Sequence, residues 1–338
     1  IEDGRYYILF VFNDRYMESG SYDMRVTAIN GENTKSTFAK IAYKGLEKEL
    51  EGVSVLTKDA ISYFDFNSIR TLDASGYKKL GTSGFYNFLL SIPTNGQEVL
   101  GISFPEFQSR FTKSFALSST LNNVTGIIES DKDLYFFQQD GSVLRVDSTG
   151  RLLDDIRLPD GDHPVTADIF EDRLFVASEL NFTGQYELRT LTLGNGTVQR
   201  SRFFPEVPVK VVAISKNRVY VASNSEEGAC LYRYRPDEDL LTRVFCLEEE
   251  SMVDMVSAND ETVVFSTDQN IRSYNIADGN MPVLQFNFGA QCMRYDDTRG
   301  YIYIGHDNLV KRFTQSGNLQ YVTGAPETVI DISLNYNK

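Results

Sequence analysis

Two heptapeptides that start 45 residues apart, DRLFVAS at 172–178 and NRVYVAS at 217–223, are nearly the same. A short apolar strand repeated at that spacing restricts a chain to a row of like-built units, each too small to bury its own core and therefore stacked on its neighbours. The pattern spreads along the chain: DLYFFQQD at 133–140, TVVFSTDQ at 262–269 and GYIYIGHD at 300–307 share a polar start, an alternating apolar-aromatic run and a polar turn. Their midpoints, Tyr135, Phe175, Tyr220, Val264 and Tyr303, are separated by 40, 45, 44 and 39 residues. That spacing leaves room for about four strands of ordinary length with tight turns.

Each of these marker strands has companions. A compact apolar strand precedes it: VTGII 124–128, VTADI 165–169, VKVVAI 209–214, MVDMV 252–256 and AQCMRY 290–295. Small and β-branched residues suit a crowded innermost position. A strand with a central Arg follows: VLRVD 143–147, ELRTL 187–191, LYRYR 231–235, IRSYN 271–275 and VKRFT 310–314. Period-2 alternation then puts one face on the next unit and lays the Arg along the other with its head in water.

The first third of the chain carries weaker copies. YYILFVFND 6–14 with YDMRVTAI 22–29, GVSVLTKD 52–59 with AISYFDFN 60–67, and QEVLGISF 97–104 bring the expected count to eight, with seven as the alternative. VIDISL 329–334 reads as an innermost strand with no marker strand after it, and YYILFVFND as a marker strand with no innermost strand before it. The expectation is that the C-terminal strand completes the N-terminal unit and closes a ring, which removes two exposed sheet edges. The single helix-like run, KGLEKELEG 44–52, is expected to be a short connector, and residues 1–338 are expected to form one domain.

On these strands the chain resembles the β-propeller proteins over its whole length, in the loose sense of the YVTN and quinoprotein-like repeats. It departs from WD repeats and from the quinoprotein docking motif because it contains no Trp. With the counted copies, the resemblance implies a closed all-β propeller of eight blades, with seven as the alternative, whose loops between second and third strands, and between blades, open on one face around the axis, where such proteins bind ligands. Fold alone does not fix function.

Catalytic groupings are scarce. Two histidines do not build a four-histidine iron site or a copper site, a zinc site would need clustered ligands and the three cysteines have no C-x-x-C spacing, and no nucleophile elbow, phosphate loop or dinucleotide fingerprint is present. The net charge of −14 argues against nucleic acid as a partner, and no apolar run is long enough for membrane insertion. No cofactor is expected, with a calcium ion held by acidic and amide side chains left open. The expected function is a non-enzymatic scaffold that binds a protein or glycan partner on an acidic, loop-rich face. The alternative is an extracytoplasmic propeller hydrolase or lyase with a metal near the axis.

On that face the register places Asp140, Asp162, His163, Asp268, His306 and Asp307, joined by Asp14, Arg15, Tyr16, Phe182 and Tyr186 from the longest loops. Asp at such positions also has a plain reading, since it suits tight turns. Cys230 and Cys246 fall opposite one another across a hairpin that turns at PDED 236–239, either as a disulfide or as two packed thiols, while Cys292 reads as a small buried hydrophobe. The Asn-X-Thr triplets at Asn123, Asn181 and Asn195 and the cysteine pair lean towards a secreted or cell-surface protein.

Overall fold

The computed structural model describes residues 20–30, 33–43, 50–65, 68–83, 86–91, 99–103, 108–113, 124–129, 133–147, 151–193, 196–285 and 287–336. The chain divides into two compact units. The smaller contains the hairpin of β1 (Gly20–Asn30) and β2 (Asn33–Tyr43), paired in register from Gly20–Tyr43 to Asn30–Asn33. The larger spans Leu50–Tyr336.

The larger unit is built of four-stranded antiparallel sheets. Its strands are, in chain order, β3 (Leu50–Thr57), β4 (Ala60–Phe64), β5 (Ile69–Asp73), β6 (Tyr77–Ser83), β7 (Tyr86–Ser91), β8 (Val99–Ser103), β9 (Gln108–Lys113) and β10 (Val124–Glu129). There follow β11 (Asp133–Gln138), β12 (Ser142–Asp147), β13 (Leu152–Arg157), β14 (Asp162–Phe170), β15 (Arg173–Leu180), β16 (Tyr186–Thr192), β17 (Val198–Phe204) and β18 (Val207–Ser215). Then come β19 (Arg218–Ser225), β20 (Gly228–Arg235), β21 (Leu240–Leu247), β22 (Met252–Asn259), β23 (Thr262–Thr267) and β24 (Ile271–Asn275). The last are β25 (Val283–Gln285), β26 (Cys292–Asp296), β27 (Tyr301–His306), β28 (Leu309–Thr314), β29 (Leu319–Gly324) and β30 (Val329–Tyr336).

Six sheets are each cut from four consecutive strands: β6–β9, β10–β13, β14–β17, β18–β21, β22–β25 and β26–β29. One more is composite, in the order β30-β3-β4-β5. The innermost strands β6, β10, β14, β18, β22, β26 and β30 pack side by side in a closed circle, each against the next.

This arrangement overturns the expected eight blades. YDMRVTAI lies in β1 of the separate hairpin, and QEVLGISF supplies β8, the third strand of its sheet rather than a marker strand. The closing strand also has a different partner: β30 pairs with β3 from Leu50–Tyr336 to Thr57–Val329. Residues 6–14 lie outside the described residues. The physical reason is that second and third strands share the same alternation, so a period-2 pattern does not say which position a strand takes in its sheet. The expected connector helix is likewise replaced at 50–52 by the start of β3, and the described residues contain no α-helix, only a 3-10 turn at Pro236–Glu238.

Apolar residues of neighbouring sheets fill the space between blades. Phe175, Val219 and Tyr234 share one buried cluster between the β14 and β18 sheets, and Val212, Tyr220 and Phe265 another between the β18 and β22 sheets. Gly305 marks a close approach at the closure, since an ideal Cβ there would meet Val329 Cγ1 at 2.6 Å and Cys292 Sγ at 2.7 Å. The Arg residues of the third strands are mostly anchored rather than free in water. Arg145 donates to Asp133 at 2.8 Å, Arg272 to Glu250 at 2.8 Å, and the Arg312 guanidinium lies 4.6 Å from the Tyr301 ring centre.

Candidate binding surface

Charged residues on the innermost strands decide what the ring's centre can do. Asp168 on β14 accepts Ala213 N–H at 2.7 Å and Ile169 N–H at 2.8 Å. Asp254 on β22 accepts Met293 N–H at 2.7 Å and Met255 N–H at 2.9 Å, with Lys210 Nζ 3.5 Å away. Asp331 on β30 accepts Leu80 N–H at 3.2 Å, Ile332 N–H at 2.9 Å and Arg294 Nη2 at 2.9 Å. Glu129 on β10 accepts Thr82 N–H at 2.9 Å and the Ser333 hydroxyl. These acids clip one innermost strand to another, and both oxygens of each Asp have a donor.

Burial pushes the Asp168 carboxyl up to about 6 and raises Glu129, against the hydrogen bonds each accepts and the Lys210 and Arg294 charges respectively. Burial opposes the charge on Arg294, but Asp331, Glu129 and Asp254 outweigh it and hold the guanidinium above its ordinary value. The sequence carried a signal for this clasp. VDMV and IDIS each bury an Asp in an apolar strand and TADI half-buries one, and a buried polar group is the informative exception.

The loop face is built differently. At the β14 sheet, Asp162 is 1% exposed and gripped by Arg189, whose Nη2 donates to Oδ1 at 2.9 Å while Nε lies against Oδ2. Burial raises its carboxyl and the Arg189 charge pulls the other way. The adjacent His163 donates Nδ1–H to the Gln139 carbonyl at 2.5 Å, which leaves Nε2 as the lone-pair nitrogen of the neutral ring. Phe182 stacks on that ring with centroids 3.5 Å apart and planes 18° from parallel. It is 58% exposed and has φ +54°, next to Asn181 at φ +50°.

A bulky residue in the left-handed region costs energy, and here the turn is locked around it. Asn181 N–H donates to the Gly161 carbonyl at 2.8 Å, Thr183 N–H to the Leu180 carbonyl at 2.9 Å, and Gly184 N–H to Glu179 at 2.9 Å. Tyr186 opens β16 beside this turn and is half-buried against the Phe175 and Tyr232 cluster.

The remaining residues sit at the same end of their own sheets. Asp140 is exposed and accepts Ser142 N–H at 3.0 Å. Asp268 is exposed and exchanges bonds with Ser251, accepting its N–H at 2.9 Å. His306 donates Nδ1–H to the Gly289 carbonyl at 2.6 Å, packs on Phe288 at 4.1 Å, and has Nε2 3.4 Å from the exposed Asp307. Lys311 covers the same Phe288 ring at 4.0 Å. The structure therefore brings together His163 with Phe182 and His306 with Asp307. Asp14, Arg15 and Tyr16 lie outside the described residues.

Between these two groups, Cys230 on β20 and Cys246 on β21 are directly opposed, with Cα atoms 4.1 Å apart, and are joined by a disulfide. Burial pushes the Cys292 thiol up. Among the described residues no helix is long and apolar enough to cross a membrane.

No protein-family model matches the chain, and no curated protein sequence matches it. Solved structures do. A protein from Lactobacillus plantarum aligns with a TM-score of 0.62 at 12% identity, over 85% of this chain and 100% of that one. The Pan2 WD40 domain of Neurospora crassa aligns at 0.57 and 10% identity, over 77% and 86%. BamB from Moraxella catarrhalis aligns at 0.50 and 12% identity, over 84% and 88%. At such identities the likeness is one of fold, and with the ring of four-stranded sheets it defines the chain as a β-propeller.

Proposed function

We propose that this β-propeller is a non-enzymatic platform that docks a protein partner on its loop face, with Phe182 and His163 as the anchor and the exposed carboxylates around them favouring a basic surface. The observation that carries this reading is Phe182: a large apolar side chain held outward at positive φ on a turn fixed by two backbone hydrogen bonds and a third to the Glu179 carboxylate. Rigid exposed aromatics give large contact area at small entropic cost. A named WD40 domain and BamB among the structural neighbours are compatible with a scaffold role. The disulfide supports an oxidising compartment.

The axial clasp weighs against the reading of a metal-dependent hydrolase or lyase. A cation there would have to compete with the backbone N–H donors and with Lys210 and Arg294 for the same oxygens. The test is quantitative capture from the native source by immobilised protein, comparing wild type, Phe182→Ala, His163→Ala and the triple variant Asp140→Asn, Asp268→Asn, Asp307→Asn. Loss of the same partner in the first two, and weaker, salt-sensitive capture in the third, supports the reading. Unchanged capture in all three overturns it.

A further inference from the structure

On the loop face, the Glu206 carboxylate and the sulfurs of Cys230 and Cys246 lie within 4.8 Å of one another. The carboxylate comes from the short link between β17 and β18, and both of its oxygens are held. Tyr232 O–H donates to Oε1 at 2.5 Å and the Ser223 hydroxyl donates to Oε2. Such outer partners aim a carboxylate at a common point, as they do around bound metals. Beside the sulfurs lies an open cleft of about 650 Å³ whose wall includes Cys246, Glu226, Glu227, Glu248 and Glu249, with Arg243 paired to Glu227 at 2.7 Å. Walls of one charge raise the local concentration of the opposite ion.

We propose that Glu206, Cys230 and Cys246 form a site for a zinc-class divalent cation, closed by the disulfide and opened by reduction, with the acidic cleft as its approach. The step balances simply. A dithiol reductant gives two electrons and two protons, becomes a disulfide itself, and leaves Cys230 and Cys246 as thiols. The cation displaces both thiol protons to solvent and is held by two thiolates and one carboxylate, with water from the cleft as fourth ligand. Tetrahedral zinc needs its sulfur ligands about 3.8 Å apart. Directly opposed strand residues reach that separation by side-chain rotation once the S–S bond is gone, because their Cβ atoms are about 4.5–5.5 Å apart.

The experiment titrates Co²⁺ into the full chain, reduced and freed of reductant, and reads thiolate-to-cobalt absorption in the near ultraviolet, with Zn²⁺ as competitor and circular dichroism as the check on fold. Reduced wild type should give the band, oxidised wild type should not, and Cys230→Ser should lose it. Glu206→Gln, whose oxidised form keeps the disulfide and serves as the folding control, should bind at least about ten-fold more weakly. A reduced chain without the band, folded or not, overturns the site. So does a band of equal affinity in Glu206→Gln or in Cys230→Ser.

Discussion

At the axis, Asp168, Asp254 and Asp331 commit both carboxylate oxygens to backbone N–H groups and sit between strands. On the loop face, Asp140 and Asp268 each hold one N–H through a single oxygen and stay exposed, and the exposed Asp307 carboxylate lies 3.4 Å from His306 Nε2. The residue type is the same and its surroundings are not. The comparison teaches that the acidic excess of this chain has two origins. Part of it is architectural and closed to partners, and part of it is offered to solvent where Phe182 and the two histidines also stand.

The largest effect should come from breaking the axial half of that comparison. Asp331→Ala removes the acceptor of Leu80 and Ile332 N–H and leaves Arg294 without its 2.9 Å partner, which should cost about 3 kcal/mol or more in urea unfolding. Asp307→Asn, which keeps a residue type that tolerates the φ of +49° there, should stay within about 0.5 kcal/mol of wild type in the same assay. Equal losses in the two variants would erase the distinction between axis and face.

The next effect is a pH dependence. Burial raises Asp168 from 3.8 to about 6, so the folded chain holds that proton more tightly than the unfolded chain. Its contribution therefore favours the fold below about pH 4 and is lost as pH rises through about 6. Relative to Asp168→Asn, which cannot ionise, wild type should lose about 2 kcal/mol between pH 4 and pH 7 and then level off. A constant difference across that range would show that the axis does not hold this carboxyl against its charge. Lys210 is the charged neighbour that opposes the shift, so Lys210→Met should widen the loss.

Much of the architecture was legible in the chain, and the reason is local. DRLFVAS and NRVYVAS become β15 and β19 because alternation within one strand needs no distant information. The near-opposition of Cys230 and Cys246 was readable from the hairpin that joins them, although the register at the turn alone would face Cys230 with Phe245, and a bulge between Leu231 and Tyr232 moves it to Cys246. The blade count was not, because YDMRVTAI in the hairpin of the smaller unit and QEVLGISF in a third position carry the same alternation as a marker strand. The partner of VIDISL was not readable either. Pairing Ser333 with Ser54 across the whole chain leaves no trace in either segment.

Of the loop face, the sequence showed which residues share an end of their sheets, which follows from strand direction. It did not show that Asp162 would be closed off by Arg189, or that Phe182 would lie on His163, since both depend on side chains from separate elements, β16 and the turn after β15, meeting β14. Glu206 was missed because a single Glu in a two-residue link has no pattern of its own.

A small expected change in stability gives the most direct test. Phe182→Gly removes the aromatic and relieves a positive φ that glycine adopts freely, which should stabilise the fold by about 0.5–1 kcal/mol. Melting temperature and partner capture are measured together on that one variant. The account predicts a melting temperature equal to or above wild type with capture lost. A variant that melts the same and captures its partner as well as wild type would contradict it.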